Sequence, residues 1–423
     1  MSAPAPYAHA SIDAAGLARE ADRVTGASGL AGLRKAGDVL SLFDAFAGKL
    51  ATADFADVEG IAFLATWLKR RSLQEVLRTS LGGREGALDA FVEDGPRRLR
   101  AAPRGVVAHW IAGNIPTLAL FSFVLSALVK NVNLVRVPKE SLPVVERLLQ
   151  ALAQASTPEL SGRDLLEGAS FFYFPGEDRA LHAELSLRAD ARVVWGGRET
   201  VATVLALPRH EHTEDVVFGP KFSLGVIDAA ARRRLVDGDA ALARAIVRDV
   251  LLFDQAACSS PHILYVEGSL DEARGVARAL AAELGRQATR APKRAIAEGT
   301  AAAILRLRTD YALGDDRDLV ASRDVDWTVL VDADGAVLSD GVQSRTIFVR
   351  GVPALLAVAE LVTPKVQTVG FCVDDAELAT RLAEELARRG VSRLARFGLM
   401  NVYDQPWDGL YACDRLVRWV SFG

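Results

Sequence analysis

The chain has 423 residues, of which 50% are hydrophobic and 25% are charged. This composition is typical of a globular enzyme and lies far from that of disordered or collagen-like chains. The length predicts two or three domains, each large enough to bury a core of its own. The net charge of −4 provides no electrostatic basis for binding nucleic acid.

The N-terminus, the longest apolar region and the cysteines together indicate the compartment. Residues 1–6 have neither the basic start nor the apolar core of a signal peptide. Residues 115–129 are apolar but interrupted by polar residues, and they fall short of the roughly 20 residues that span a bilayer. Three widely spaced cysteines form neither a zinc pattern nor a disulfide framework. We therefore expect a cytoplasmic protein with no membrane span and no metal ion.

Helical patterns dominate the first hundred residues. Apolar residues recur at three-and-four spacing over residues 31–51 and 58–78, which is typical of amphipathic helices. The charged segment that follows contains Pro96, which interrupts a helix. We expect an extended arm near residues 90–104.

Strands then alternate with helices up to residue 219, which is the pattern of a doubly wound parallel sheet. The predicted strands are residues 105–111, 132–138, 170–174 and 192–195. Sheets of this kind bind nucleotides at the carboxyl ends of their strands. We therefore predict that residues 1–219 form the helical N-terminal region and a dinucleotide-binding domain.

Two strand ends in this region carry candidate binding groups. Asn114 lies in a turn between the first strand and an apolar helix, where its side-chain amide can stabilise a developing oxyanion. Asn114 is also a suitable N-cap for that helix, and the two roles are compatible. Gly196-Gly197 opens a later helix and can admit a pyrophosphate, although most Gly-Gly pairs simply turn the chain. No G-x-G-x-x-G fingerprint is present in the sequence.

A second α/β pattern extends over residues 220–395, and an aromatic tail over residues 396–423. The second pattern includes a helix predicted at residues 229–250, a strand at 262–266 and a helix at 270–288. The tail is rich in tyrosine, tryptophan and phenylalanine. We expect it to dock on its own chain or on a partner chain.

The run FDQAACSSP at residues 253–261 lies between two apolar segments. Small neighbours leave room for a substrate beside Cys258, which we interpret as a nucleophile. The alternative is a buried cysteine that behaves as a small hydrophobe. Cys372 lies in an apolar strand and fits that alternative, whereas Cys413 lies in the polar and aromatic tail.

Several short motifs, in this order and spacing, resemble the aldehyde dehydrogenase superfamily. They are VAHWIAGNIP at residues 107–116, KNVNLVR at 130–136, DARVVWGGR at 190–198 and DQAACSSP at 254–261. The variants of these motifs, with RTIFV at 345–349 and QTVG at 367–370, are similar to one branch, the LuxC-type acyl-CoA reductases. The resemblance implies an α/β fold with a Rossmann-type nucleotide-binding domain, a catalytic domain in residues 220–395 and an oligomerisation arm.

The resemblance also implies an activity and its residues. It implies NADPH-dependent reduction of an acyl thioester, most often a fatty acyl-CoA, to the aldehyde through an acyl-cysteine. Cys258 matches the acyl-accepting cysteine and Asn114 the oxyanion-hole amide. Arg136, with Lys139 nearby, falls where a ribose 2′-phosphate would bind. Gly196, Gly197 and Arg198 match the start of the cofactor-binding helix.

One departure from the superfamily bears on the product. Acid-forming members carry a glutamate where this chain has Val217, in the run VFGPK at residues 217–221. Without a base to activate water, an acyl-enzyme hydrolyses slowly, so the departure favours exchange with a thiol. An acid-forming dehydrogenase, a reductase of aromatic or carrier-protein-bound acyl groups, and a non-catalytic scaffold are the alternatives. We also expect a homo-oligomer.

Overall fold

The computed structural model describes residues 8–293, 296–333 and 341–423. Residues 1–6, on which the prediction of no signal peptide rests, lie outside the described residues. The contacts within the chain divide it into two compact units. One unit comprises the chain up to Gly219 together with Tyr403–Gly423, and the other comprises Pro220–Val402.

The first unit contains ten helices and eight strands before Gly219 among the residues described. Its helices are α1 (Ala14–Gly26), α2 (Ser28–Leu33), α3 (Ala36–Leu50), α4 (Ile61–Trp67), α5 (Arg70–Ser80), α6 (Leu118–Leu128), α7 (Leu142–Ala153), α8 (Gly162–Leu166), α9 (Arg179–Leu187) and α10 (Arg198–Leu205). Its strands are β1 (Ala8–His9), β2 (Val92–Asp94), β3 (Arg97–Pro103), β4 (Val106–Trp110), β5 (Val132–Arg136), β6 (Ala169–Phe172), β7 (Ala191–Trp195) and β8 (Glu214–Phe218).

The main sheet of the first unit has the strand order β1-β6-β5-β4-β7-β8, and all of its strand pairs are parallel. Its central strands are buried on both faces, which explains their continuous apolar sequences. Every residue of α6 is buried as well, as expected for a helix that is apolar all round. The residues predicted as four strands therefore form neighbouring strands of one doubly wound sheet.

The second unit is built around a seven-stranded sheet of the order β11-β12-β13-β10-β9-β14-β15, in which only the pair β11–β12 is antiparallel. Its strands are β9 (Phe222–Ile227), β10 (Pro261–Glu267), β11 (Asp318–Ala321), β12 (Thr328–Asp332), β13 (Thr346–Val352), β14 (Val366–Cys372) and β15 (Arg393–Ala395). Its helices are α11 (Ala229–Val236), α12 (Ala240–Leu251), α13 (Leu270–Ala288), α14 (Glu298–Ala312), α15 (Leu356–Leu361) and α16 (Ala376–Arg388). Apolar clusters cover both faces of this sheet.

The single helix predicted at residues 229–250 is wrong, because the chain forms α11 and α12 with a turn between them. Gly238 in this turn has a φ of 105°, which disfavours other residue types. The Asp239 side chain then accepts hydrogen bonds from the backbone N–H groups of Ala241 and Leu242 at 3.1 and 3.0 Å. A new helix therefore starts with its own N-cap.

The predicted aromatic tail is divided between the two units. Phe397 and Met400 belong to the apolar core of the second unit, and the Phe397 ring lies against Gly225 of β9 and Gly370 of β14. A Cβ atom at either glycine would overlap the ring. From Tyr403 onward the chain belongs to the first unit.

The end of the chain completes a small sheet in the first unit. The last elements are α17 (Ala412–Arg415) and β16 (Val417–Phe422). Strand β16 pairs antiparallel with β3, and β3 pairs with β2. The segment predicted as an extended arm thus forms two strands of a three-stranded sheet. Among the residues described, no helix has the length and apolar character needed to cross a membrane.

Arg192 on β7 provides a test of the packing in the first unit. Its side chain is fully buried, and the guanidinium donates to Asp215 through Nε at 2.6 Å and Nη2 at 2.8 Å. Its Nη1 donates to Ser186 Oγ and to the Val204 carbonyl, each at 3.0 Å. Loss of the cation would take two hydrogen bonds from the partly buried Asp215 carboxylate and one each from Ser186 Oγ and the Val204 carbonyl.

We predict that Arg192→Met lowers the free energy of unfolding by about 3–5 kcal/mol, because it breaks a buried ion pair from one side. Arg209 provides a matched control, since its exposed guanidinium reaches the same Asp215 at 3.2 Å. Arg209→Met should cost less than about 1 kcal/mol. Urea unfolding followed by fluorescence measures both values, and equal losses would contradict the assignment.

Candidate active site

The strand order of the first sheet reverses beside β4, as it does where doubly wound sheets bind nucleotides. The chain passes from β4 to β5 and β6 on one side, and β7 then pairs with β4 on the other side. In doubly wound sheets the loops at such a reversal, here those after β4 and β7, leave in opposite directions, and ligands bind between them. These are the loops that carry Asn114 and the Gly196-Gly197 pair.

Asn114 is exposed on the loop after β4. The loop is held at its start, where the Ile111 N–H donates to the Arg136 carbonyl at 3.2 Å. The interpretation of Asn114 as the N-cap of α6 is wrong, because Thr117 occupies that position and is fully buried. Two residues separate Asn114 from Thr117, so the amide belongs to the loop. Its role toward an oxyanion stays a prediction.

Arg136 ends β5 beside this loop and is half-buried. Its Nη2 donates to the Phe174 carbonyl at 3.1 Å, and its guanidinium carbon lies 6.0 Å from the centre of the Tyr173 ring. Burial lowers the pKa of Arg136. Its Nε is buried and has no hydrogen-bond partner among the residues described, so one donor is unused. Lys139 is exposed in the 3₁₀ turn Lys139–Ser141 that follows.

The start of α10 combines a closed glycine with an open one. A Cβ atom at Gly196 would lie 2.8 Å from the Thr200 Cβ, so a side chain is excluded there. Gly197 directly precedes α10, and a Cβ atom built on it would meet nothing within 4 Å. The first helical turn has free N–H groups, Gly197 leaves open space on its side-chain face, and Arg198 beside it is exposed. This arrangement can accept an anionic group.

Sequence reasoning missed a histidine that supports the same edge. Trp110 Nε1 donates to His182 Nδ1 at 2.8 Å, which leaves the His182 proton on Nε2, 3.2 Å from the Gly176 carbonyl. Burial and, to a lesser degree, the positive charge of Arg136 lower the pKa of His182. A neutral His182 thus links the end of β4 to the turn after β6. Its isolated position on a helix gave no signal in the sequence.

Cys258 lies in the second unit, in the segment between the 3₁₀ turn Leu252–Gln255 and the start of β10. We call residues 253–261 the nucleophile loop. The Cys258 side chain is half-buried. Its carbonyl accepts a hydrogen bond from Ser223 Oγ at 2.7 Å, and Ser223 Oγ accepts one from the Thr368 N–H at 3.1 Å. Strands β9 and β14 thus fix the backbone of the cysteine.

The other two cysteines do not match their predicted environments. Cys413, predicted to lie in a polar tail, is fully buried, and burial raises the pKa of its thiol to about 12. Cys372, predicted to be a core residue, is half-buried at the end of β14, and Arg234 Nη2 lies 3.5 Å from its sulfur. The inert buried cysteine of the chain is therefore Cys413.

The nucleophile loop begins with an unusual backbone. Phe253, Asp254 and Gln255 have φ values of 56°, 48° and 66°. A left-handed backbone raises the conformational free energy of a residue other than glycine by about 1 kcal/mol. Gln255 is fully buried, and its Nε2 donates to the carbonyls of Pro261 at 2.8 Å and Thr346 at 2.9 Å. The first of these bonds joins the two ends of the loop across its base.

The small size of Ser259 and Ser260 led us to expect that they leave open space beside Cys258. Instead, both side chains anchor the loop. Both are buried, and their hydroxyls donate to Asn401 Oδ1 at 2.6 and 3.2 Å. Asn401 Nδ2 in turn donates to the Asp249 carbonyl at 3.0 Å. Sequence reasoning missed both Asn401 and Asp249. Each lies in a segment that has no recognisable motif of its own.

In the described ranges of the chain, no cluster of three or more histidine, cysteine, aspartate or glutamate side chains is placed to hold a metal ion.

Solved structures with the same fold are aldehyde dehydrogenases. The NADP-dependent glyceraldehyde-3-phosphate dehydrogenase of Bacillus halodurans matches with a TM-score of 0.70 and 12% identity, over 97% of this chain and 91% of its own. Aldehyde dehydrogenase 21 of Physcomitrella patens matches with a TM-score of 0.69 and 12% identity, over 97% and 91%. The protein therefore has the aldehyde dehydrogenase fold, and the predicted fold class is confirmed.

Sequence comparisons assign the protein to one family among those that share this fold. The model of the LuxC acyl-CoA reductase family matches residues 43–419, and the chain belongs to this family, as its motifs predicted. The long-chain acyl-protein thioester reductase of Aliivibrio fischeri is 26% identical over 372 residues, which are 84% of this chain and 73% of the relative. The enzyme of the same name from Vibrio harveyi is 24% identical over 368 residues, with the same coverage. The chain is thus an acyl thioester reductase by family.

Asp249 provides a test of the anchor behind the nucleophile loop. Its Oδ2 accepts a hydrogen bond from the Gly398 N–H at 2.5 Å, and burial raises the pKa of its carboxyl from 3.8 to about 7. Because the folded state holds this proton more tightly than the unfolded chain, stability is lost as the pH rises toward 7.

We predict that Asp249→Asn removes this loss, since the amide has no charge to bury. Relative to the variant, the wild-type protein should lose roughly 2 kcal/mol of stability between pH 5 and pH 7. Thermal unfolding of both proteins at several pH values measures the difference. If the difference in stability between the two proteins stays constant from pH 5 to pH 7, the raised pKa of Asp249 is contradicted.

Proposed function

We propose that this chain uses NADPH to reduce a long-chain acyl thioester to the aldehyde, through an acyl group held on Cys258. The observation that carries the proposal is the nucleophile loop. It holds a half-buried cysteine by hydrogen bonds that Ser223 and Gln255 donate and by one that Asn401 accepts from Ser259. A cysteine that served only as core would need no such polar frame, and Cys413 has an apolar setting instead.

The chemistry assigned to Cys258 is acyl transfer. Its thiolate attacks the thioester carbonyl, forms the new carbon–sulfur bond and pushes the carbonyl electrons onto oxygen. The tetrahedral intermediate collapses with cleavage of the bond to the original sulfur, which leaves as a thiolate and takes a proton from solvent. We assign the Asn114 amide and the Cys258 N–H as donors to the oxyanion, each worth roughly 3 kcal/mol. The assignment of Asn114 rests on its sequence motif.

The residues at the carboxyl edge of the first sheet fit a dinucleotide. The open space before α10 suits a pyrophosphate, with Gly196 and Arg198 on either side of Gly197. The unused Nε of Arg136 and the exposed ammonium of Lys139 suit a ribose 2′-phosphate. When bound, the cofactor supplies the hydride that converts the acyl group to an aldehyde. The preference for NADPH over NADH rests on these two cations.

The acyl donor is either coenzyme A or a carrier protein. The family is described by acyl-CoA, whereas the curated relatives are named for acyl-protein substrates. Both donors present the same thioester carbonyl to Cys258. We propose a long-chain acyl group on either carrier, and an aromatic acyl group in secondary metabolism is the alternative that a substrate panel would reveal.

Val217 supports an aldehyde over an acid as the product. It is an apolar residue on β8, paired with Val194 of β7, at the motif position where acid-forming relatives carry their glutamate. A valine cannot take a proton from water. An acid formed from aldehyde and NADP⁺ without any thiol acceptor would favour the hydrolytic alternative.

Exposed apolar residues on the three-stranded sheet and directly before its strand β2 support the proposal of a homo-oligomer. Phe91, Val420 and Phe422 are 38%, 38% and 53% exposed, and the rings of Phe91 and Phe422 lie 5.9 Å apart. Neighbouring exposed apolar side chains of this kind are typical of contact surfaces.

The acyl-enzyme is the intermediate to detect first. After incubation of the wild-type protein with palmitoyl-CoA or palmitoyl-carrier protein and no reductant, peptide mass spectrometry should find the acyl group on Cys258. Cys258→Ala should abolish it, and Cys372→Ala should retain it. Asn114→Ala should slow acylation by about 10²–10³-fold. Acylation elsewhere, or full turnover by Cys258→Ala, would overturn the proposal.

Cofactor preference is tested by reversing the charge of Lys139. Lys139→Glu should raise the KM for NADPH by about tenfold or more, because a carboxylate would repel the 2′-phosphate. The KM for NADH, which lacks this phosphate, should change little. Lys35→Glu is the matched control, since Lys35 is an exposed lysine in the same unit. Equal effects on both cofactors would remove Lys139 from the site.

A further inference from the structure

A second strained segment faces the nucleophile loop. Gln343, Ser344 and Arg345 precede β13 and have φ values of 59°, 58° and 59°. Three consecutive residues of this kind, none of them glycine, also begin the nucleophile loop. Such backbone persists only where its surroundings enforce it. The contacts of each segment therefore identify what holds it.

The two segments hold each other through an ion pair. Arg345 is 3% exposed, and its Nε lies 2.6 Å from Asp254 Oδ1. Its Nη1 lies 3.4 Å from Asp326 Oδ1. A buried guanidinium is stable only when it is paired in this way. The strained residue Asp254 is thus bound to the strained residue Arg345.

Hydrogen bonds from the Gln255 side chain to the backbone of Thr346 reinforce the same contact. Gln255 accepts a hydrogen bond from the Thr346 N–H at 2.9 Å and donates to the Thr346 carbonyl at 2.9 Å. Residues 254 and 255 are therefore matched in order with residues 345 and 346. The residues at the start of β13 therefore hold the residues at the start of the nucleophile loop in place, one opposite the other.

We propose that Arg345 is a positioning residue for Cys258, acting through Asp254. Asp254 lies four residues before Cys258, so its backbone conformation sets the direction in which the loop leaves α12. Without the guanidinium, residues 253–255 lose a main restraint on their left-handed backbone. The sulfur then occupies a range of positions, and a displacement of about 1 Å lowers a rate by roughly 10²-fold. This inference rests on the proposed function of Cys258 as the acyl acceptor.

Arg345→Met is the principal variant. Its rate of acylation by palmitoyl-CoA at saturation should fall about 10–100-fold, whereas the apparent KM for the thioester should stay within about twofold. Arg345→Lys keeps the charge without the planar fork, and it should recover at least part of the lost rate. Asp254→Asn breaks the same pair from the other side with a smaller change in volume, so it covers the case in which Arg345→Met does not fold.

Arg350 provides the matched control. It lies on β13, the strand that begins directly after Arg345, is 2% exposed, and its Nε contacts Asp332 Oδ1 at 2.7 Å. Arg350→Met thus removes another buried cation from the second unit without touching the nucleophile loop. It should lower the melting temperature and leave the acylation rate within about threefold of the wild-type value.

Alkylation by iodoacetamide separates positioning from general loosening and needs no acyl substrate. Peptide mass spectrometry gives the rates at Cys258 and Cys372 in the same sample. In Arg345→Met the pH profile of Cys258 alkylation should shift, and that of Cys372 should stay unchanged. Parallel changes at both cysteines, or equal loss of acylation in Arg345→Met and Arg350→Met, would overturn the inference. So would wild-type acylation by folded Arg345→Met and Asp254→Asn.

Failure of the proposed function can be distinguished from failure of the inference about Arg345. If no thioester acylates the wild-type protein, then Cys258 is not an acyl acceptor and the proposed function is wrong. The alkylation profiles would still report whether Arg345 orders the loop around that cysteine.

Discussion

The side-chain amide of Gln255 is the contact on which the nucleophile loop depends most directly. It bonds to Pro261 at the far end of the loop and to both backbone groups of Thr346 on β13. Pro261 begins β10 and Thr346 begins β13, and these two strands are neighbours in the sheet. One buried amide therefore ties the left-handed start of the loop to backbone groups at the beginning of both strands.

The first unit uses a similar arrangement where its strands meet loops. The Val106 N–H donates to Asp190 Oδ2 at 2.8 Å, and the Gly105 N–H donates to Asn131 Oδ1 at 3.0 Å. These bonds fix the start of β4, whose other end carries the Asn114 loop. Polar side chains thus set the strand ends, while apolar residues fill the two faces of each sheet. The division suits a protein whose chemistry is assigned to loops.

Sequence patterns were sufficient for elements whose signal is local. The β-branched run near residue 263 predicted β10, and amphipathic spacing predicted α13 over its observed range, Leu270–Ala288. The polar frame of Cys258 could not be predicted. Asn401 lies 142 residues from Ser259, and Thr346 lies 91 residues from Gln255. Only the folded chain brings such residues together, because neither sits in a repeating pattern.

The position of the Phe397 ring matters for more than the packing of the second sheet. Its ring occupies the place of the missing side chains of Gly225 and Gly370, which are paired across β9 and β14. The same short segment carries Asn401, which receives both serine hydroxyls next to Cys258. A single methyl group added at either glycine would therefore displace the Phe397 ring and, with it, the Asn401 amide that accepts the two serine hydroxyls beside Cys258. The effect of such a substitution would thus reach the loop of Cys258 through the packing of the core.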